Sequence, residues 1–238
     1  MTVAGAVTGC WAAAIARQYA RLLHGGAFPH ARTLLAACCQ TMQQVSTRII
    51  WARACIWPDR YTVTVTVCGG LVGGLFAYQL PHLYWPAWML GALLLVMGLL
   101  ASIDAHTRLL PDALTLPLLW SGMVAAWLGA GMPLVSSFEG VVAGYALPMA
   151  LRMVWMAVRG VDPLGGGDIK LLAGMGAWLG AHDAILVFLL ACVTGSLYAI
   201  VRWRARAWRI SQPFGPFIIA HAMLFLLWPE ARGWLVTI

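Results

Sequence analysis

Residues 61–103 read YTVTVTVCGGLVGGLFAYQLPHLYWPAWMLGALLLVMGLLASI, and these 43 positions contain no Asp, Glu, Lys or Arg. A helix that crosses a bilayer needs about 20 mainly apolar residues. The stretch is therefore long enough for two crossings. Pro81 and Pro86, with Tyr84 and Trp85 between them, mark the turn that separates the two. Aromatic side chains of this kind favour the membrane–water interface. The reading is a span over 61–80, an aromatic turn over 81–86, and a return over 87–103 that delivers Asp104.

Composition carries the same message to the whole chain. It is 62% apolar and 10% charged, where a soluble domain carries about 25% charged residues. The expected fold class is all-α, a polytopic transmembrane helix bundle with about six to seven spans. Downstream, apolar segments cover 113–130, 138–158, 169–181, 184–201 and 213–228. A glycine-rich loop over 159–168 and a basic loop over 202–209 separate some of them, and His182-Asp183 interrupts the run after 181. Upstream, residues 2–16 form a weak span or an interfacial helix, and 17–60 are the one extended polar region. Two parts follow: a basic N-terminal region over 1–60 and a transmembrane domain over 61–238. Val7-Thr8-Gly9-Cys10 looks like a lipoprotein cleavage box. It lacks the basic segment and the long apolar run that a signal peptide needs, so it reads as a chance match.

The net charge of +7 raises nucleic acid as a partner, but the basic residues serve better as topology determinants. Placing Asp104 on the cytoplasmic side puts fourteen of the fifteen Lys and Arg residues there and leaves only Arg232 outside. Cytoplasmic loops carry such an excess, and the opposite orientation violates the rule at almost every loop. The expected setting is a lipid bilayer, with no nucleic acid. The six cysteines contain no C-x-x-C pair, which argues against a zinc ribbon or a disulfide framework. No metal is expected.

Two of only eight acidic residues abut long apolar runs: Asp104 in Ala101-Ser102-Ile103-Asp104, and Asp168 in Gly165-Gly166-Gly167-Asp168. On insertion scales a carboxylate at a helix centre costs about 2.5–3.5 kcal/mol, so it persists where it pairs, neutralises or does chemistry. The apolar segment over 169–181 is also short, roughly 20 Å of helix against a hydrocarbon core of about 30 Å. If it crosses, its cytoplasmic end starts below the surface. That places Gly165 to Asp168 in a recess, where non-helical backbone is tolerated only beside a cavity. Two carboxylates on neighbouring helix ends can share a proton, one acting as base toward water and the other donating to a carbonyl. Plainer readings stand beside this. Gly165 to Asp168 also reads as a flexible loop with Asp168 as helix N-cap. Asp104 also reads as a boundary residue pairing with Arg108, and Asp112 as the N-cap of the 113–130 helix. His106, His182 and His221 are isolated, and no Ser, Cys or His triad competes. A small transporter using the two aspartates as proton or cation ligands is the main alternative function. A non-catalytic assembly component is another.

Three ordered motifs now resemble a known family. Ser102-Ile103-Asp104 followed by Leu109-Leu110-Pro111-Asp112-Ala113-Leu114-Thr115-Leu116-Pro117 is similar to the first signature of type IV prepilin peptidases. Gly165-x-Gly167-Asp168-x-Lys170-Leu171-Leu172 with Gly176-Ala177-Trp178-Leu179-Gly180 resembles their second. Pro213-Phe214-Gly215-Pro216-Phe217 resembles their C-terminal motif. The resemblance runs from about residue 85 to 228. It implies a membrane aspartic endopeptidase of the G-x-G-D type that cuts the basic leader from type IV prepilins or pseudopilins, at the cytoplasmic face of the bacterial inner membrane. It implies Asp104 and Asp168 as the catalytic pair, with Gly165, Gly167, Lys170, Pro111 and Asp112 as supporting motif residues. Many members carry two C-x-x-C pairs in an N-terminal cytoplasmic domain and also N-methylate the product. This chain has neither pair, so the expectation is cleavage without methylation, cofactor or metal.

Overall fold

The computed structural model describes residues 2–24, 31–46, 86–204 and 212–228. The expected span over 61–80, the 81–85 part of the aromatic turn, Cys55, Cys68, and most of the basic loop over 202–209 lie outside the described residues. Among the described residues every regular element is an α-helix. In chain order they are α1 (Thr2–His24), α2 (Ala31–Ser46), α3 (Ala87–Thr107), α4 (Asp112–Trp127), α5 (Leu134–Arg159), α6 (Gly166–Leu179), α7 (Ala181–Trp203) and α8 (Gly215–Leu227). The all-α expectation holds. By length and composition three of these can cross a membrane, over Trp88–Thr107, Leu134–Arg159 and Ala181–Arg202, and α8 is a shorter apolar helix. The chain divides into two compact units, one ending at Ala113 and the other running from Leu114 apart from residues 84–86.

In the first unit α3 packs against α1, which also packs against α2. Leu90, Leu93, Leu94, Met97, Leu100 and Ile103 form the buried stripe of α3. Their three- and four-residue steps keep one helix face inward. Ala16 and Tyr19 of α1 are buried in the same unit.

In the second unit α6 is the innermost helix. Every residue from Leu171 to Gly180 is buried. Helices α5, α7 and α8 pack on it, and α4 reaches it through Trp178, whose indole N–H donates to the Leu118 carbonyl at 2.9 Å. Small residues make this possible. A Cβ on Gly176 would fall inside the Gly140 carbonyl, and one on Gly144 would lie 2.5 Å from the Leu172 carbonyl. Backbones approach this closely only where side chains are missing, the usual small-residue packing of membrane helices. Ser137 adds a hydrogen bond from its hydroxyl to the Ala177 carbonyl at 2.7 Å.

These contacts set a register. Gly140 faces Gly176 and Gly144 faces Leu172, so the two antiparallel helices place Gly166, the first residue of α6, level with Ala150. Helix α5 continues to Arg159, overshooting the start of α6 by about nine residues, or about 14 Å. This is why Leu151 and every residue from Met153 to Arg159 are exposed. The start of α6 therefore lies short of the end of α5.

Several boundaries differ from expectation, among them the start of α5 at Leu134. Asp104 lies inside α3, which runs on to Thr107. The glycine-rich loop is shorter, covering residues 160–165, because α6 begins at Gly166. The break after α6 is the single residue Gly180 at φ +85°, and His182-Asp183 open the next helix instead of interrupting. An acidic residue in a first helical turn is favoured by the exposed N–H groups there, which is why Asp183 continues a helix.

Candidate active site

Asp104 sits four residues after Leu100 and seven after Met97, so it continues the inward stripe of α3. It is only 4% exposed, as is Ser102. Its backbone carbonyl accepts the Arg108 N–H at 2.8 Å. Arg108 closes the helix at φ +55°, a left-handed conformation that costs a non-glycine residue about 1–2 kcal/mol. The Thr107 hydroxyl helps hold the turn by donating to the Ile103 carbonyl at 2.8 Å. It also accepts the Leu109 N–H at 3.2 Å. The chain then passes buried Pro111 and exposed Asp112. Asp112 is the first residue of α4, where a carboxylate suits the helix N-terminus. Asp104, Pro111 and Asp112 thus share one helix–turn–helix segment.

Asp168 is built differently. Gly165, at φ −62° and ψ 140°, is the N-cap of α6, and Gly166, Gly167 and Asp168 form its first turn. The expectation that Asp168 itself is the N-cap is corrected: it stands three residues beyond the cap. Its side chain turns back toward that cap, since a Cβ on Gly165 would lie 3.0 Å from Asp168 Oδ2. A carboxylate three residues after the cap is where a helix start can receive it, and the positive end of the helix dipole favours its ionised form. Gly165 is exposed, Gly167, Asp168 and Lys170 are half-buried, and Ile169 is buried. Gly165, Gly167, Asp168 and Lys170 therefore share the cap and first two turns of one helix. Asp104 belongs to one compact unit and Asp168 to the other.

The third motif ties α7 to α8. The Gln212 amide donates to the Gly195 carbonyl at 2.9 Å. A Cβ on Gly195 would lie 3.6 Å from the Phe214 ring, and Tyr198 and Phe217 hold their ring centroids 5.6 Å apart.

The family model for type IV leader peptidases matches residues 91–200, an interval that encloses both aspartates and both of their flanking motifs. Over these residues the chain is similar to the type IV leader peptidase family. It is 39% identical over 160 residues to a protein of Aeromonas salmonicida (strain A449) named prepilin leader peptidase/N-methyltransferase, a match that covers 64% of this chain and 55% of that protein. A protein of the same name from Burkholderia pseudomallei (strain 1026b) is 38% identical over 170 residues, covering 68% of this chain and 52% of its own length. A third, from Dickeya chrysanthemi, is 38% identical over 173 residues, covering 69% and 60%. The chain spans a little over half the length of these curated relatives. No solved structure matches it significantly.

One pair near Asp168 escaped the sequence reading. Arg152 of α5 bonds Asp162 of the loop, with Nε donating to Oδ1 at 2.8 Å and a second bond from the other arm of the guanidinium to Oδ2. The hydrogen bond from Arg152 holds the Asp162 carboxyl below the usual carboxylate range. Sequence reasoning counted Arg152 only as a topology charge. Ten residues separate the partners, and no helical periodicity links a helix residue to a loop residue at that spacing.

Proposed function

We propose that this chain is a membrane-embedded aspartic endopeptidase that removes the basic leader of type IV prepilins or pseudopilins. The observation that carries the reading is the leader peptidase match over residues 91–200, with Asp104 and Asp168 inside it, each in its own signature. The relatives' printed names support prepilin as the substrate class. The basic-residue asymmetry supports a cytoplasmic active face at the bacterial inner membrane. Residues 61–238 form the peptidase domain in this reading, with six to seven spans in all. The absence of any C-x-x-C pair supports cleavage without N-methylation.

In the mechanism, the substrate's apolar helix stays in the bilayer and its basic leader stays in the cytoplasm, so the scissile bond lies at the interface. One aspartate, ionised, takes a proton from water while the water oxygen attacks the peptide carbonyl carbon. The other, protonated, gives its proton to the carbonyl oxygen. The tetrahedral diol then collapses: the C–N bond breaks, a diol proton returns to the second aspartate, and the first passes its proton to the leaving amine. Like charges placed together push two carboxyl pKa values apart, which is how one stays protonated beside an ionised partner. The helix dipole at Asp168 favours Asp168 as the base and the buried Asp104 as the acid.

The test is cleavage of a purified prepilin in detergent. Asp104→Asn and Asp168→Asn should each lower the rate by about 10²–10⁴-fold with the protein still inserted and folded. Wild-type cleavage by either variant sinks the catalytic pair. A transporter would show ion-dependent uptake into liposomes and no cleavage at all. If cleaved pilin gains a methyl group when S-adenosylmethionine is supplied, the expectation of no methylation is wrong.

A further inference from the structure

Residues 160–165 have a difficult geometric task. Gly160 ends α5 in a left-handed conformation at φ +67°, and its N–H bonds the Met156 carbonyl at 2.9 Å. The loop must then run back along the exposed end of α5 for about 14 Å to begin α6 at Gly166. It is short, mostly exposed, and holds two glycines and a proline in six residues. Nothing in its own apolar content fixes it, yet it ends on the cap of the helix turn that carries Asp168.

Arg152 supplies the missing constraint. It lies on α5 seven residues before the helix ends, on the stretch that overshoots α6. Two arms of its guanidinium engage both oxygens of Asp162. The third, Nη1, lies 3.7 Å from where a Cβ on Gly166 would sit. Asp162 in turn accepts the Leu164 N–H at 3.3 Å, closing an Asx turn directly before the Gly165 cap. A single planar group on α5 therefore bonds the loop and lies beside the first residue of α6. A two-bond guanidinium–carboxylate pair sets orientation as well as distance. The side chains are 24% and 44% exposed, and exposed pairs contribute little to global stability, so its consequence is placement.

We propose that the Arg152–Asp162 pair is a positioning clamp that holds the G-x-G-D turn, and with it the Asp168 carboxylate, in the geometry needed for cleavage. The proposal rests on the peptidase reading for its catalytic consequence, but the clamp itself is measurable without activity. A carboxylate misplaced by about 1 Å is enough to cost of order 10²-fold in rate.

The experiment uses the full chain in detergent, with Arg152→Asp, Asp162→Arg and the charge-reversed double variant. Two quantities are read for each: backbone amide exchange over residues 160–168, and kcat and KM for prepilin cleavage. Each single variant should speed exchange in that segment several-fold and lower kcat about tenfold or more, with KM and Tm little changed. The double variant should restore most of both. Unchanged exchange in the single variants overturns the clamp, whatever the activity. So does a double variant no better than the product of the singles, because independent sites combine in that way. A fall in kcat that tracks a fall in Tm also overturns it, since that is general destabilisation. If the wild-type chain cleaves no prepilin, the peptidase reading fails instead, and the exchange data alone decide the clamp.

Discussion

A single methyl group at Gly165 would reach the Asp168 carboxylate, since its carbon would stand 3.0 Å from Oδ2. That distance is tighter than ordinary contact, and the side chain it would displace is the proposed base. Gly165→Ala should therefore fold and insert normally yet cleave prepilin at least about tenfold more slowly, because one of the two must give way and the backbone is held by the helix start. Equal kcat for wild type and variant would show that Asp168 does not need its turned-back position. Asp162 gives a second prediction at this scale. Its folded carboxyl titrates below the ordinary value because Arg152 hydrogen-bonds the ionised form. The sign follows: the bond's contribution is complete above the unfolded carboxylate value of about 3.9 and is lost as pH falls through the lower folded value. The clamp is thus intact at neutral pH. Carbon chemical shifts of the Asp162 carboxyl should give a midpoint below about 3.9, and Arg152→Gln should raise it. A midpoint already at the ordinary value would mean the pair does not persist in solution.

Helix α6 is only 14 residues long, and it is enclosed by its neighbours on nearly every side. Its place is set by where α5 can touch it. Gly140, Gly144 and Gly176 let the two backbones meet, and that meeting fixes which residue of α5 lies beside Asp168. Gly176→Val has nowhere to put its side chain, so the helices must separate. Overpacking in a tight interior costs about 1–3 kcal/mol, and here the obstacle is backbone, which cannot rotate away. The expected result is a marked drop in Tm in detergent together with lost cleavage. Gly98→Ala, where nothing lies within 4 Å of the added carbon, is the matched control and should leave Tm in place. A Gly176→Val protein as stable as wild type would refute the α5–α6 register, and with it the overshoot of α5 past the start of α6.

For the whole molecule the controlling property is the distribution of basic residues. In the orientation that the positive-inside rule selects, the 160–165 loop faces the cytoplasm and the 128–133 turn faces the opposite side. Cysteine substitutions test this, made in a variant lacking the six native cysteines. Leu164→Cys should react with a membrane-impermeant maleimide only in inside-out vesicles, and Leu128→Cys only in intact spheroplasts. The reverse pattern would invert the topology and put Asp168 on the wrong face for a leader held in the cytoplasm. The same pair of reactions bears on the span count, since it requires an odd number of crossings between the two positions.

Much of this protein is written locally. The charge-free run over 61–103, the short apolar segment after Asp168 and the three motifs are properties of neighbouring residues. They are enough to specify an all-helical chain with helices apolar enough to cross a membrane and its resemblance to one family, and they single out two aspartates for test. What the tertiary structure alone decided depends on residues far apart in the chain. Gly165 caps α6 and Asp168 stands three residues beyond the cap. Asp104 faces inward because Leu90 to Ile103 choose that face against α1. Arg152 reaches Asp162 because α5 overshoots α6, a consequence of the Gly140–Gly176 contact. Hydropathy and motif spacing report what each segment prefers. Only close packing between segments determines which atoms of one meet which atoms of another.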